Sequence, residues 1–88
     1  MFMQCVYILQ SRRDRKFYVG YTSDIKKRLQ QHADGVVMST KNRRPFKLVY
    51  YECCVSQNDA TTREKYLKSA WGKRYIKNRL KNYLLNNR

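Results

Sequence analysis

YVGYTSDIKKRLQQH, from Tyr18 to His32, is the stretch that decides the fold. Its opening belongs to a β-forming run, Phe17 to Tyr21, and Thr22, Ser23 and Asp24 then place side-chain oxygens ahead of Ile25, where a helix leaves amides unpaired. Gly35 is the residue type that closes helices, so the segment predicts a strand passing almost directly into a helix from Asp24 to Asp34. Upstream, QCVYILQ (4–10) is rich in β-formers and runs into the polar cluster SRRDRK, which predicts a hairpin with the second strand. Cys5 to Leu9 are apolar without alternation, the pattern of a central strand buried on both faces. Downstream, KLVYYECCV (47–55), announced by Pro45, predicts a third strand. A helix should follow from Asn58 or Asp59 to about Trp71, with Gly72 breaking it before a third helix from Lys73 to about Leu85. Ile76, Leu80, Tyr83 and Leu84 form that last helix's apolar stripe. The order β-β-α-β-α-α describes one α/β (α+β) domain over residues 1–88, not a doubly wound sheet.

A chain of 88 residues has room for one core, and 42% hydrophobic residues with twelve aromatics suffice to build it. Twenty Lys and Arg against six Asp and Glu leave a net charge of +14, which calls for a polyanionic partner, nucleic acid first. A membrane partner is not expected. No run of about 18 apolar residues could span a bilayer, and neither a signal peptide nor a lipidation motif is legible, so the expected compartment is the cytoplasm. Cys5, Cys53 and Cys54 match neither an even disulfide set nor a zinc spacing and are expected as buried free thiols.

Several polar residues fall where apolar ones belong. On the first helix Arg28 and His32, four apart, lie on or beside the stripe of Ile25 and Leu29. A half-buried Arg needs an anion, either a protein carboxylate or a bound phosphate, unless its head snorkels to water. His32 can be neutral at pH 7, with one ring nitrogen free to accept a proton; alternatively it is a satisfied boundary residue. Glu64, the only acid between Ala60 and Arg88, shares a helical stripe with Ala60, Leu67 and Trp71. It suits a hard-metal ligand, but a capping box from Thr61 to Glu64, or a salt bridge to Lys68, accounts for it equally. Tyr7 and Tyr18 come opposite each other if the hairpin is centred near Arg12 and Arg13, as packing partners at least. Gly20, inside a strand, marks a close approach by a ligand or another backbone. GVVMSTKNRRP (35–45) carries Lys41, Arg43 and Arg44, as a mobile basic loop beside a substrate or as a solvated connector.

These blocks together resemble the GIY-YIG nuclease superfamily. Cys5-Val6-Tyr7 stands at the first motif and Tyr18-Val19-Gly20 at the second, and the run from Tyr21 to His32 has the family's spacing to its Arg and His. STKNRRPFKLVYYE and REKYLKS are similar to the small single-domain branch related to the excinuclease C-subunit nuclease domain. The resemblance implies a three-stranded antiparallel sheet flanked by about three helices. It implies phosphodiester cleavage of DNA, more than RNA, with one divalent ion, Mg²⁺ or Mn²⁺, on Glu64. Tyr7 would be the general base, Tyr18 would orient water or phosphate, Arg28 would stabilise phosphoryl charge, and His32 would take or relay the proton. Gly20, Tyr21, Lys41, Arg43 and Arg44 would contact substrate.

The first motif has Cys5 in place of its glycine, and Tyr21 stands where some nuclease relatives carry Lys. Asn78 and Asn82 are the candidates for a C-terminal Asn. No second domain fits into this length, so structure-directed or weakly sequence-specific cleavage is expected. The alternatives are a nucleic-acid-binding module of weak activity and an accessory subunit that takes specificity from a protein partner.

Overall fold

A computed structural model describes residues 3–86, so residues 1, 2, 87 and 88 of the expected domain lie outside the described part. Three strands, β1 (Gln4–Ser11), β2 (Phe17–Thr22) and β3 (Phe46–Cys54), form one antiparallel sheet in the order β2-β1-β3. The helices are α1 (Ile25–Asp34), α2 (Gln57–Lys68), α3 (Ala70–Arg79) and α4 (Lys81–Asn86), with a 3₁₀ turn at Lys41–Arg43. β1 is central and every residue from Cys5 to Leu9 is buried, as the unbroken apolar run requires. Successive side chains of β1 serve opposite layers. Val6 and Ile8 join Ala60, Leu67 and Ile76 in the main core under α2 and α3, while Tyr7 turns the other way and meets His32 of α1.

The entry into α1 forms as its sequence dictates. Asp24 accepts the Lys27 amide at 3.1 Å, and Gly35 closes the helix in the left-handed conformation at φ 78°. The later helices differ from expectation. Gly72 does not break a helix; it lies inside α3, and the chain turns three residues earlier, at Ser69, whose hydroxyl accepts the Gly72 amide at 3.2 Å. A Cβ on Gly72 would sit 2.0 Å from the Tyr66 carbonyl oxygen, so the glycine is there because two backbones meet. Since α2 ends before Trp71, that residue does not continue the stripe of Glu64, and it stands 68% exposed. The expected third helix is also divided, at Leu80. Ile76 is buried in the core, whereas Tyr83 on α4 turns to donate to Gln10 Oε1 at 2.5 Å.

The hairpin register is shifted from the expected one. Gln10 pairs with Phe17, which centres the turn between Arg13 and Asp14, so Tyr7 faces Gly20 and Tyr18 faces Leu9. The turn chemistry sets this. Ser11 Oγ accepts the amides of both Arg13 and Asp14 at 3.1 Å, and Asp14 accepts that of Lys16 at 2.9 Å.

Residues 35–45 are strapped to this hairpin. Ser11 donates to the Arg43 carbonyl at 2.6 Å, Arg12 N–H to the Pro45 carbonyl at 2.8 Å, and the Arg43 guanidinium to Asp14 at 2.8 Å. The Arg43 bond holds the Asp14 carboxyl down at about 2.

The cysteines are not all free thiols. Cys5 and Cys53 face each other across β1 and β3, with Cα atoms 4.1 Å apart, and form a disulfide; Cys54 is the free cysteine of the described residues. Strand alternation explains the division, because adjacent Cys53 and Cys54 point to opposite faces and only one can meet Cys5.

Candidate active site

Tyr7 is fully buried in the middle of β1, and its ring lies across the backbone of Gly20. A Cβ on Gly20 would fall 2.4 Å from both Cζ and Oη of that ring. The close approach expected at Gly20 is therefore made by Tyr7 itself, and the glycine serves the site by leaving the ring its place. Tyr7 Oη lies 2.7 Å from His32 Nε2, and His32 Nδ1 lies 2.8 Å from Thr40 Oγ1. Tyr18 completes the cluster edge-on to the imidazole, with ring centres 5.3 Å apart, and its hydroxyl accepts from Ser39 at 3.4 Å.

Thr40 fixes more than position. It is fully buried, and His32 Nδ1 is the side-chain partner described for its hydroxyl. The neutral ring has one proton for its two contacts, so it donates at one nitrogen and accepts at the other, and the buried hydroxyls of Thr40 and Tyr7 are coupled through it.

Arg28 stands one helical turn before His32, half-buried. Its Nη1 donates to Gln31 Oε1 at 3.0 Å, and its guanidinium is close enough to the Tyr7 phenol to favour the ionised form. Among the described residues it makes no salt bridge, so its charge is not neutralised by the protein. Burial pushes His32 down to about 4, with Arg28 adding to the effect, so the imidazole is neutral at pH 7. Burial raises Tyr7 above its ordinary value of 10.0 even though Arg28 pulls it down. Burial therefore works against moving the Tyr7 proton onto His32 in the unliganded protein. These directions make His32 a group that positions Tyr7 rather than the resting holder of its proton.

Glu64 comes from α2. The capping-box explanation does not hold, because α2 starts at Gln57 with Ser56 as its cap; the salt bridge to Lys68 does form, at 3.2 Å. No direct contact from Glu64 to the tyrosines is described, but its charge reaches Tyr7 and helps raise it. No group of three His, Cys, Asp or Glu side chains among the described residues could cage a metal. One partly exposed carboxylate, paired among the described residues with an exposed lysine head, fits an ion of the Mg²⁺ kind, which keeps most of its waters, and does not fit a closed zinc site.

The structure thus joins Tyr7, Tyr18, Arg28 and His32 in one network and couples Glu64 to it by charge. The expected substrate contacts scatter. Tyr21 lies on the other sheet face, packed against the main core with its hydroxyl on Gln4 Oε1 at 2.5 Å. Arg43 is committed to Asp14 and stacks on Phe46, and Arg44 donates to the carbonyls of Lys41 and Ala33. Lys41 and Arg44 border a cavity of ≈ 560 Å³ beside His32. Asn78 and Asn82 are exposed on α3 and α4. Thr40 was missed by the sequence reading, and a single Thr in an aperiodic loop carries no signal of its own.

A family model described as the GIY-YIG catalytic domain matches residues 3–77. A UPF0213 protein of Clostridium perfringens is 39% identical over 67 residues, covering 75% of this chain and 71% of its own length. Another, from Haloquadratum walsbyi, is 37% identical over 65 residues, covering 73% and 72%. The solution NMR structure of a UPF0213 protein from Bacillus halodurans superposes with a TM-score of 0.54 at 34% identity, over 84% of this chain and 81% of that one. The strand and helix arrangement is that of this neighbour, and no helix among the described residues is long and apolar enough to cross a membrane.

Proposed function

The chain belongs to the GIY-YIG family, and from that premise we propose that it is a divalent-metal-dependent endonuclease that cleaves DNA phosphodiesters with structural rather than sequence selectivity. The observation that carries the proposal is the Tyr7 phenol held between the neutral His32 and an Arg28 that makes no salt bridge among the described residues. Arg28 receives a phosphoryl oxygen of the scissile group, for which its charge is uncommitted. Once its own proton has been lost to bulk water, the Tyr7 phenolate takes the proton of the attacking water at Oη, with the Arg28 charge stabilising the phenolate and His32 holding it in place. Tyr18, edge-on to His32, orients the water or phosphate. Glu64 would hold the ion, Mg²⁺ or Mn²⁺, whose chemistry when bound is Lewis-acid polarisation of the phosphate and leaving oxygen. Binding there also cancels the negative charge that now raises Tyr7.

The raised Tyr7 supports a second reading, a nucleic-acid-binding module of weak activity, because an unlowered phenol is a poor base at pH 7. Incubation with branched, flapped and nicked DNA in Mg²⁺ or Mn²⁺ separates the two. The nuclease reading expects cleavage that drops by at least about 100-fold in Glu64→Gln, Arg28→Ala and Tyr7→Phe. Wild-type activity no greater than that of Glu64→Gln would end it in favour of the binding module.

A further inference from the structure

In the basic loop 35–45 Arg43 is paired with Asp14 and Arg44 is tied to backbone carbonyls, so most of the +14 charge lies elsewhere on the molecule. A groove of ≈ 620 Å³ gathers part of it. It starts at Tyr18 and runs between the edge strand β2 and helices α3 and α4. Its rim carries Arg15, Lys16, Lys68, Lys73 and Lys77, and no Asp or Glu lines it. Of the four lysines only Lys68 has a described carboxylate partner, Glu64, and the other three are exposed and make no salt bridge among the described residues. The floor is apolar, with Phe17, Val19 and Leu84 among its residues.

We propose that this groove binds one unpaired strand of nucleic acid, its phosphates along the lysines and its bases against the apolar floor, and leads that strand to Tyr18. Charge names a polyanion, and the floor names its unpaired form. Bases stacked and paired inside a duplex cannot reach an apolar floor, whereas unpaired bases present hydrophobic faces to one. Lys73 and Lys77 are four apart on α3, hence on one face, and Lys68 joins them from α2 beside Glu64. The track therefore ends where the proposed chemistry begins. This deepens the nuclease reading, naming frayed, flapped or single-stranded ends as the substrate class, and rests on it for the direction of the strand only.

The test measures binding without cleavage. Anisotropy of a labelled 12-nucleotide strand, DNA in one arm and RNA in the other, is titrated in EDTA at several salt concentrations. The Lys73→Gln/Lys77→Gln variant should reduce the slope of log K against log salt by about 1.4, from two lost phosphate contacts on a single strand. Lys26→Gln/Lys65→Gln removes the same charge from exposed positions outside the groove and should leave the slope near wild type. An unlabelled single strand should compete better than the blunt duplex of the same sequence. An unchanged slope in Lys73→Gln/Lys77→Gln, an equal loss in the control, or equal competition by duplex overturns the inference. Because no metal is present, its failure is separate from that of the nuclease reading, which the cleavage assay decides.

Discussion

Gly20→Ala is the substitution on which sequence and structure make opposite predictions. If the glycine admits a ligand, alanine should impair binding and leave the fold alone. It should even stabilise the strand by about 0.5–1 kcal/mol, since glycine costs backbone entropy. The structure puts Tyr7 there instead. A Cβ 2.4 Å from Cζ and Oη must push the ring about 1 Å away to reach an ordinary contact, where contacts of 3.4–4 Å are normal. Tyr7 cannot swing freely to oblige, because it is fully buried and boxed by Tyr18 and His32. Moving Oη by that amount stretches a 2.7 Å bond to His32 beyond hydrogen-bonding range. Losing a bond between buried groups costs about 1–3 kcal/mol, which outweighs the entropic gain and leaves a net loss of about 1–2 kcal/mol. Misplacing the proposed base by 1 Å should also cost about 100-fold in cleavage rate. Urea denaturation measures the first quantity and the DNA-cleavage assay the second. In a Tyr7→Leu background the clash is gone, so adding Gly20→Ala should then be neutral or stabilising. A stable single variant, or a loss that persists undiminished without the tyrosine ring, refutes the reasoning.

His32 is the only histidine, so its imidazole can be followed alone by NMR; its midpoint should lie near 4, and a value near 6.5 would contradict its burial. The fold disfavours the charged form, so this group's contribution is complete above pH 6.5. It is lost as pH falls from 6.5 to about 4, a total of about 3 kcal/mol that His32→Gln should remove from the stability profile. Gly72→Ala should destabilise by at least about 3 kcal/mol, because the new methyl meets backbone atoms of Tyr66 and Leu67 that cannot rotate aside; a loss below 1 kcal/mol in denaturation would argue against that contact. Alkylation of the unreduced, unfolded protein should label one cysteine, Cys54, and label all three only after reduction, as mass spectrometry would read directly.

Much of the fold was legible because it depends on local patterns. The apolar run from Cys5 to Leu9 gave a central strand, and Asp24 and Gly35 set the two ends of α1 by capping chemistry within a few residues. What could not be read depends on pairing across the sheet or between helices. A two-residue shift of the hairpin moves Tyr18 from beside Tyr7 to the diagonal, and only the Ser11 and Asp14 turn bonds choose between them. Gly72 looked like a breaker because a glycine needed for close packing and one needed to end a helix are the same residue in a sequence. The Cys5–Cys53 bridge needs the β1–β3 register, and Thr40 needs the loop to fold back over His32. In the site, Arg28 and His32 were found because a cation and an imidazole interrupt an apolar stripe. Arg43 could not be read because charge in a sequence does not say that Asp14, across the hairpin, will take it.

The electrostatics of the site argue for a base that is switched on by its ligands. At rest, burial above all, then the neighbouring Tyr18 and, least, the Glu64 charge keep the Tyr7 proton in place, and His32 is too weak an acceptor to remove it. Arg28 opposes these effects but loses to burial. Each component that the proposed reaction must bring changes this balance. A cation held by Glu64 would offset one of the contributions that raise Tyr7, and Lys68, now on Glu64 at 3.2 Å, would then be available to a phosphate. The incoming phosphate draws on Arg28, so the two ligands push Tyr7 in opposite directions, and the cation must bring the larger charge for the phenol to ionise. It follows that phosphate without metal should leave Tyr7 protonated, whereas metal at Glu64 should lower its titration. Ultraviolet difference titration of the phenolate, comparing wild type with Tyr7→Phe in Mg²⁺ and in EDTA, reads that change. A Tyr7 titration indifferent to Mg²⁺ would separate Glu64 from the base and remove the coupling on which the mechanism depends.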